Sequence, residues 1–280
     1  MKKIIAGSSS PTLAKNLSLE MNVPIAEITI KRFPDGECYV RIHEKMDEAI
    51  IISNTYPNEN IIELFLLQDA ARKMGAEKIS VIIPYYGYGR QDKVFEEGEA
   101  VSAEKIAKLI EQDADKIITV DPHKEYITNF FTIPAHICSA VEEIANYFIN
   151  KVDTVLAPDK GAIDRAKKAA KIIGCPFDYL EKKRLSGEEV EMKAKEMDVA
   201  GKSILIIDDI ISTGGTMAEA IKNLKKQEAK NVFISCSHGL FIGNAIERIR
   251  KAGCDEVVST DTVESIYSKI SVAGPIAKLL

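Results

Sequence analysis

Ser203-Ile204-Leu205-Ile206-Ile207-Asp208-Asp209-Ile210-Ile211-Ser212-Thr213-Gly214-Gly215-Thr216, followed by Met217-Ala218-Glu219-Ala220-Ile221, holds a complete architectural unit. An unbroken β-branched, apolar run reads as a strand buried on both faces, the kind that builds parallel sheets. Two adjacent carboxylates end it, hydroxyl residues and glycines turn the chain, and helical spacing begins at Thr216. The same alternation extends through the chain. Strands are expected at 3–6, 49–53, 79–84, 117–121, 154–157, 203–208, 232–236 and 256–260. Helices are expected near 11–19, 61–74, 103–112, 140–150, 163–173, 216–226 and 244–251. Strands separated by helices specify an α/β fold with mainly parallel sheets flanked by helices.

A chain of 280 residues with 46% hydrophobic and 28% charged residues has the composition of one large domain or two ordinary ones. Lys+Arg 37 against Asp+Glu 42 leaves a net charge of −5, which points to neither nucleic acid nor a membrane surface as a partner. No apolar run approaches membrane-spanning length, and the start, Met-Lys-Lys-Ile-Ile-Ala-Gly, reads as a buried strand and not a secretory signal. Cys38, Cys138, Cys175, Cys236 and Cys254 are odd in number and scattered, so reduced thiols in a cytoplasmic protein are expected.

The chain also reads as two related halves. Ala6 and Ala157, Pro24 and Pro176, and Gly36 and Gly187 occupy matching places at offsets of 151, 152 and 151. Ala76-Glu77-Lys78 matches Ala229-Lys230-Asn231 at 153, and Ile118–Asp121 resembles Val258–Asp261 at 140. The shorter last offset means extra residues in the first copy, around 85–100. Domains are accordingly expected at 1–147 and 148–280, the C-terminal tail being able to pack back on the first.

The loop after Ile207 suits an anion. Gly214 and Gly215 allow close backbone approach, the start of the helix adds partial positive charge, and Ser212, Thr213 and Thr216 offer hydroxyls. Asp208 and Asp209 can accept hydrogen bonds from vicinal hydroxyls, as on a ribose, or organise a metal. A plain capped helix explains one hydroxyl and one glycine, but not an acid pair followed by two glycines between threonines. The loop resembles the fingerprint of type I phosphoribosyltransferases and of ribose-phosphate pyrophosphokinases, which it does not separate.

Four further segments resemble the pyrophosphokinase family in its own order. They are Phe33-Pro34-Asp35-Gly36-Glu37, Pro84-Tyr85-Tyr86-Gly87-Tyr88-Gly89-Arg90-Gln91-Asp92, Asp121-Pro122-His123 and Lys182-Lys183-Arg184. Without the resemblance, Pro34-Asp35-Gly36 is a good turn, Arg90 a surface cation able to fork onto phosphate, and His123 an ordinary strand-end histidine. Asp159, in Pro158-Asp159-Lys160-Gly161 at a strand end, suits a pyrophosphate–magnesium pocket.

The resemblance implies two phosphoribosyltransferase-type domains and transfer of the pyrophosphoryl group of ATP to the 1-hydroxyl of ribose 5-phosphate. Asp35, Gly36, Glu37, Arg90 and Gln91 then fall to ATP, at a site completed by a neighbouring subunit of a homo-oligomer. His123 and Asp159 fall to Mg2+, and Asp208, Asp209, Ser212, Thr213, Gly214, Gly215 and Thr216 to ribose 5-phosphate. Lys182 and Arg184, ahead of a charged stretch at 187–198 where the family has a mobile catalytic loop, fall to catalysis, Arg184 also contacting the sugar phosphate.

Three departures from the family pattern stand out. Ser212 replaces a frequent aspartate, and Phe33-Pro34 a more usual Phe-Ser. Phe95-Glu96-Glu97-Gly98-Glu99 stands where longer relatives carry arginines linked to activation by phosphate. A compact form without that phosphate-activated site is therefore expected.

Overall fold

Isoleucine and valine decide where the strands run, because β-branched side chains suit a pleated surface that helices can cover on both sides. The computed structural model describes residues 1–184, 190–194 and 198–280, with side chains described outside 181–197. The chain divides into two units. One is Met1–Ser139 with Asp261–Glu264 and Ser271–Leu280; the other is Ala140–Thr260 with Ser265–Ile270.

In the first unit the elements are β1 (Lys2–Ala6), α1 (Pro11–Met21), β2 (Ile28–Arg32), β3 (Cys38–Ile42), β4 (Glu48–Ile52), α2 (Asn58–Lys73), β5 (Lys78–Ile83), α3 (Ser102–Ile110), β6 (Lys116–Val120) and β7 (Ala135–Cys138). Among the described residues they build a five-stranded sheet in the order β1-β4-β5-β6-β7, parallel throughout. Strands β2 and β3 form a separate antiparallel hairpin.

The second unit runs α4 (Val141–Phe148), β8 (Thr154–Ala157), α5 (Ile163–Ile173), β9 (Phe177–Arg184), β10 (Val190–Ala194), β11 (Ser203–Ile211), α6 (Gly215–Lys226), β12 (Asn231–Gly239), α7 (Ala245–Lys251), β13 (Glu256–Thr260) and β14 (Ser268–Ile270). Its sheet is ordered β10-β9-β8-β11-β12-β13-β14. Within this sheet only the β9–β10 pairing is antiparallel among the described strands. The short helix α8 (Ala273–Ala277) belongs to the first unit and packs on α1. There Asn16 Nδ2 donates to Asp261 Oδ2 and to Ser271 Oγ, both at 3.1 Å. The division falls at Ser139/Ala140, ahead of residue 147, because α4 packs against α5 and β12 of the second unit.

The order β1-β4-β5-β6-β7 is reproduced by β8-β11-β12-β13-β14, strand for strand. The units part where the second continues outward through β9 and β10. At that place the first retains a single parallel bridge, Ile4 to Ile25, before the hairpin leaves the sheet.

Side chains repeat as well. Arg72 Nη2 meets Asp115 Oδ2 at 2.7 Å, and that same oxygen accepts the Ile79 N–H at 2.7 Å. In the second unit Lys225 Nζ meets Asp255 Oδ2 at 2.8 Å, and that oxygen accepts the Val232 N–H at 2.7 Å. Residues 72 and 225, and 79 and 232, lie 153 apart, while 115 and 255 lie 140 apart. These are the offsets of the sequence repeat. Asn22 (φ 53°) and Gly174 (φ 82°) likewise end α1 and α5 in the left-handed region at matching positions.

In each clamp one carboxylate ties the end of a helix to the second amide of the next strand. Burial supplies the bulk of the stability. Leu64 and Leu67 of α2, and Ile221 and Leu224 of α6, are wholly buried against their sheets, each worth about 1.5–3 kcal/mol. The clamp is a smaller and more specific contribution, and Asp255→Ala isolates it. The variant strands the buried Val232 N–H, so a stability loss of about 1–3 kcal/mol is expected from urea unfolding. A loss under about 0.5 kcal/mol contradicts the role given to the clamp.

Candidate active site

β11 runs three residues beyond the strand end read from the sequence, through Asp208 and Asp209 to Ile211. Carboxylates disfavour strands, but the ladder from β12 carries them, pairing Asp208 with Cys236, Ile210 with His238 and Ile211 with Gly239. The turn that follows is set by Gly214, whose φ of 71° suits a residue without a side chain. A Cβ there would stand 3.0 Å from Ile249 Cδ1 and 3.1 Å from the Ala245 carbonyl, so the loop is pressed onto α7. Arg248 Nη1 donates to the Thr213 carbonyl at 2.9 Å and holds the loop from the same side. Thr213 and Thr216 are exposed, Ser212 and Gly215 half-buried, and α6 begins at Gly215. Exposed hydroxyls and the first amides of a helix of twelve residues thus share one short turn, as an anion site requires.

The acid pair sits deeper. Asp208 Oδ1 accepts the Asp209 N–H at 2.9 Å. Burial and the neighbouring Asp209 carboxylate push Asp208 well above the usual carboxylate range, and only the Arg165 guanidinium, 3.7 Å away, pulls it back appreciably among side chains. Arg165 is the residue the sequence reading missed. Its Nε is buried without a partner, directly behind the pair. A signal existed: Arg165 lies three residues after Ala162 and four before Ala169, on the face of α5 that is otherwise buried alanine.

Asp159 follows β8, which pairs with β11. It is exposed, and its Oδ1 accepts the Gly161 N–H at 2.8 Å. Lys182 and Arg184 lie in β9, opposite Met192 and Val190 of β10. Their side chains, and residues 185–189 and 195–197 of the charged stretch, lie outside what the structure describes.

In the first unit the candidates occupy three places. Asp35, Gly36 and Glu37 form the exposed tip of the β2–β3 hairpin, where Asp35 Oδ1 accepts the Glu37 N–H at 3.1 Å. Behind that tip Arg32 approaches Glu63 at 3.7 Å; Glu63 is completely buried and also accepts the Ser8 N–H and Oγ–H at 2.7 Å each. Arg90 and Gln91 follow β5, and His123 follows β6, its neighbour in the sheet. Arg90 and His123 are exposed and Gln91 half-buried.

The turn Ser53–Pro57, which matches the 208–216 loop in the repeat, is closed. Asn54 and Thr55 are buried. Asn54 Oδ1 accepts the Tyr85 N–H at 2.7 Å, its Nδ2 donates to the Thr262 carbonyl at 2.9 Å, and its own N–H donates to Ser9 Oγ at 3.0 Å. Gly87 N–H donates to Thr55 Oγ1 at 2.6 Å, and a Cβ on Gly87 would lie 2.5 Å from the Thr55 carbonyl. The N–H groups of Ser53, Asn54 and Thr55 all donate to protein acceptors.

A carboxyl group raised in the folded state opposes folding increasingly as pH climbs above its ordinary value, since the unfolded chain sheds that proton first. Asp208→Asn removes this opposition. The variant is expected to be more stable than the parent at pH 8, by about 2 kcal/mol, with the difference vanishing towards pH 4. Urea midpoints across that range check it; equal stability at pH 8 contradicts the buried-pair account.

A family model described as the N-terminal domain of ribose phosphate pyrophosphokinase matches residues 2–113. Another, described as a phosphoribosyl transferase domain, matches 127–272. The ribose-phosphate pyrophosphokinase of Methanopyrus kandleri is 39% identical over 98% of this chain and 97% of its own length. That of Pyrococcus furiosus is 45% identical over 95% and 98%. The crystal structure of phosphoribosylpyrophosphate synthetase from Mycobacterium smegmatis aligns with a TM-score of 0.86 at 29% identity, over 99% of this chain and 97% of that one. Full-length similarity at this level, with both domain models in order, means that the chain belongs to the ribose-phosphate pyrophosphokinase family.

Proposed function

We propose that the chain transfers the pyrophosphoryl group of ATP to the 1-hydroxyl of ribose 5-phosphate, releasing AMP and 5-phosphoribosyl 1-pyrophosphate for nucleotide biosynthesis. The observation that carries this reading is the contrast between matching strand ends. The 208–216 loop keeps exposed hydroxyls and an acid pair, whereas Ser53–Pro57 is closed by Asn54 and Thr55. A sugar-phosphate site in the second unit, with the first left for another substrate, suits a two-substrate transfer.

The 5-phosphate is held by Thr213, Thr216, Ser212 and the amides of Gly214–Thr216. Asp208 and Asp209 accept hydrogen bonds from the ribose hydroxyls and fix the anomeric oxygen, while Arg165 supports the ionised form of the pair. Arg90 and Gln91 receive ATP, together with Asp35, Gly36 and Glu37 from a neighbouring copy in a homo-oligomer. Among the described residues no three His, Cys, Asp or Glu side chains converge as a metal cage. That suits Mg2+, which is usually held by one or two carboxylates plus substrate phosphates. Asp159, with one oxygen uncommitted to the Gly161 amide, fits such a role, and His123 is also assigned to magnesium. When bound, the ion supplies charge neutralisation to the triphosphate.

The anomeric oxygen then attacks the β-phosphorus in line, its bond forming as the bond to the α-phosphate oxygen breaks and AMP leaves. Lys182 and Arg184 meet the developing charge; transfer of this kind depends chiefly on positioning and electrostatics. A cytoplasmic setting accords with five cysteines that form no disulfide. No helix among the described residues is long and apolar enough to cross a membrane.

A magnesium-dependent assay of ATP with ribose 5-phosphate is expected to yield AMP and 5-phosphoribosyl 1-pyrophosphate together. Lys182→Ala is expected to lower kcat roughly 10²–10⁴-fold with KM changed only a few-fold. Base-dependent pyrophosphate release without AMP formation would replace the reading with a phosphoribosyltransferase, and an unchanged kcat would remove Lys182 from it.

A further inference from the structure

The acidic run after Arg90 has a job inside its own segment. Glu99 Oε2 accepts three hydrogen bonds, from the Phe95 N–H at 2.7 Å, the Glu96 N–H at 3.0 Å and Gln91 Nε2 at 3.1 Å. The Phe95 and Glu96 amides hold the Glu99 carboxyl below the usual carboxylate range, so it stays an acceptor at neutral pH. Gln91 Nε2 also donates to the Lys93 carbonyl at 3.3 Å. The backbone of Gln91 is fixed from both sides, its N–H on the Tyr88 carbonyl at 3.1 Å and its own carbonyl on the Ala103 N–H at 3.1 Å.

Oxygen and nitrogen of a carboxamide look alike by shape, so hydrogen-bond partners must decide which end points where. Here both partners, a carboxylate and a backbone carbonyl, can only accept. Both N–H groups of the Gln91 amide are therefore committed, and turning the amide over would set oxygen against oxygen twice. What Gln91 has left to offer a ligand is Oε1, for which no partner occurs among the described residues.

We propose that Glu99, by holding one N–H group of the Gln91 amide while the Lys93 carbonyl takes the other, turns Gln91 into an obligate acceptor that selects a diphosphoryl donor whose base carries an exocyclic amine. The inference rests on the reading that Gln91 lies at the ATP site. An acceptor has nothing to offer triphosphate oxygens, which are acceptors themselves; it needs a donor. The amine at position 6 of adenine is one. Hypoxanthine presents a carbonyl at that position, and acceptor would face acceptor. Glu99 acts as a positioning residue, touching no part of the nucleotide.

The test compares kcat/KM for ATP, 2′-deoxy-ATP and ITP with ribose 5-phosphate in the unaltered protein, in E99A and in E99Q. ITP is expected to be roughly 10–100-fold poorer than ATP in the unaltered protein, with 2′-deoxy-ATP within a few-fold of ATP. In E99A the amide is released to turn over, and the ITP penalty shrinks to about threefold or less. E99Q can place its own amide oxygen where Oε2 stood, and it retains the penalty.

A merely structural loss in the 91–99 segment would lower both nucleotides together and leave their ratio alone. ITP used as well as ATP by the unaltered protein overturns the proposal without requiring any variant to fold. So does an undiminished penalty in E99A, or a lost one in E99Q. Failure of every nucleotide to give 5-phosphoribosyl 1-pyrophosphate would strike the proposed function instead.

Discussion

Two carboxylates side by side at the inner end of a buried strand are costly, and the second unit is arranged around that cost. Asp208 lies against Asp209 with burial working against its charge, and Arg165 stands behind it at 3.7 Å. A half-buried guanidinium whose Nε is buried and unpartnered is itself expensive unless something compensates it. Each unfavourable element partly relieves the other, and the remainder is what a ligand rich in hydroxyls can satisfy. The glycine turn, the Arg248 strut and the start of α6 follow from the need to bring an anion to the same spot.

The first unit shows the same frame with that demand removed. Its clamp at Asp115 copies the one at Asp255, and its strand order is the same. Yet Ser53 and Asn54 stand where the second unit has its carboxylates, and these neutral groups, with Thr55, have hydrogen bonds met internally. Freed from the sugar phosphate, this unit releases its hairpin from the sheet and carries a longer connection after β5. One frame thus supports two chemistries, because the sheet fixes strand ends in space while the turns decide what those ends hold.

Much of this was legible in the sequence. Unbroken runs such as Ile79–Ile83 leave little alternative to a buried strand, and the offsets near 152 anticipated both the repeated topology and the repeated clamps. The 208–216 loop was legible as a unit because its residues are contiguous. The hairpin β2–β3 was not: its half-exposed strands, with Lys31, Arg32 and Arg41, lack a continuous apolar signal. Arg165 and Glu63 escaped because a charged residue in a helical pattern reads as solvated, and only packing shows that both face inward. Glu99 escaped for a different reason. Its partners are backbone amides and one glutamine, and an acidic run carries no trace of which carboxylate folds back.

The account stands or falls on the division of substrates between the units. Hydrogen–deuterium exchange of the full chain with ribose 5-phosphate alone measures it directly, because amides that bind phosphate exchange more slowly. Protection is predicted in peptides covering 208–217, with none gained at 53–57, where the Ser53, Asn54 and Thr55 amides already donate to the protein. Protection at 53–57, or none at 208–217, would contradict the assignment of the sugar phosphate to the second unit.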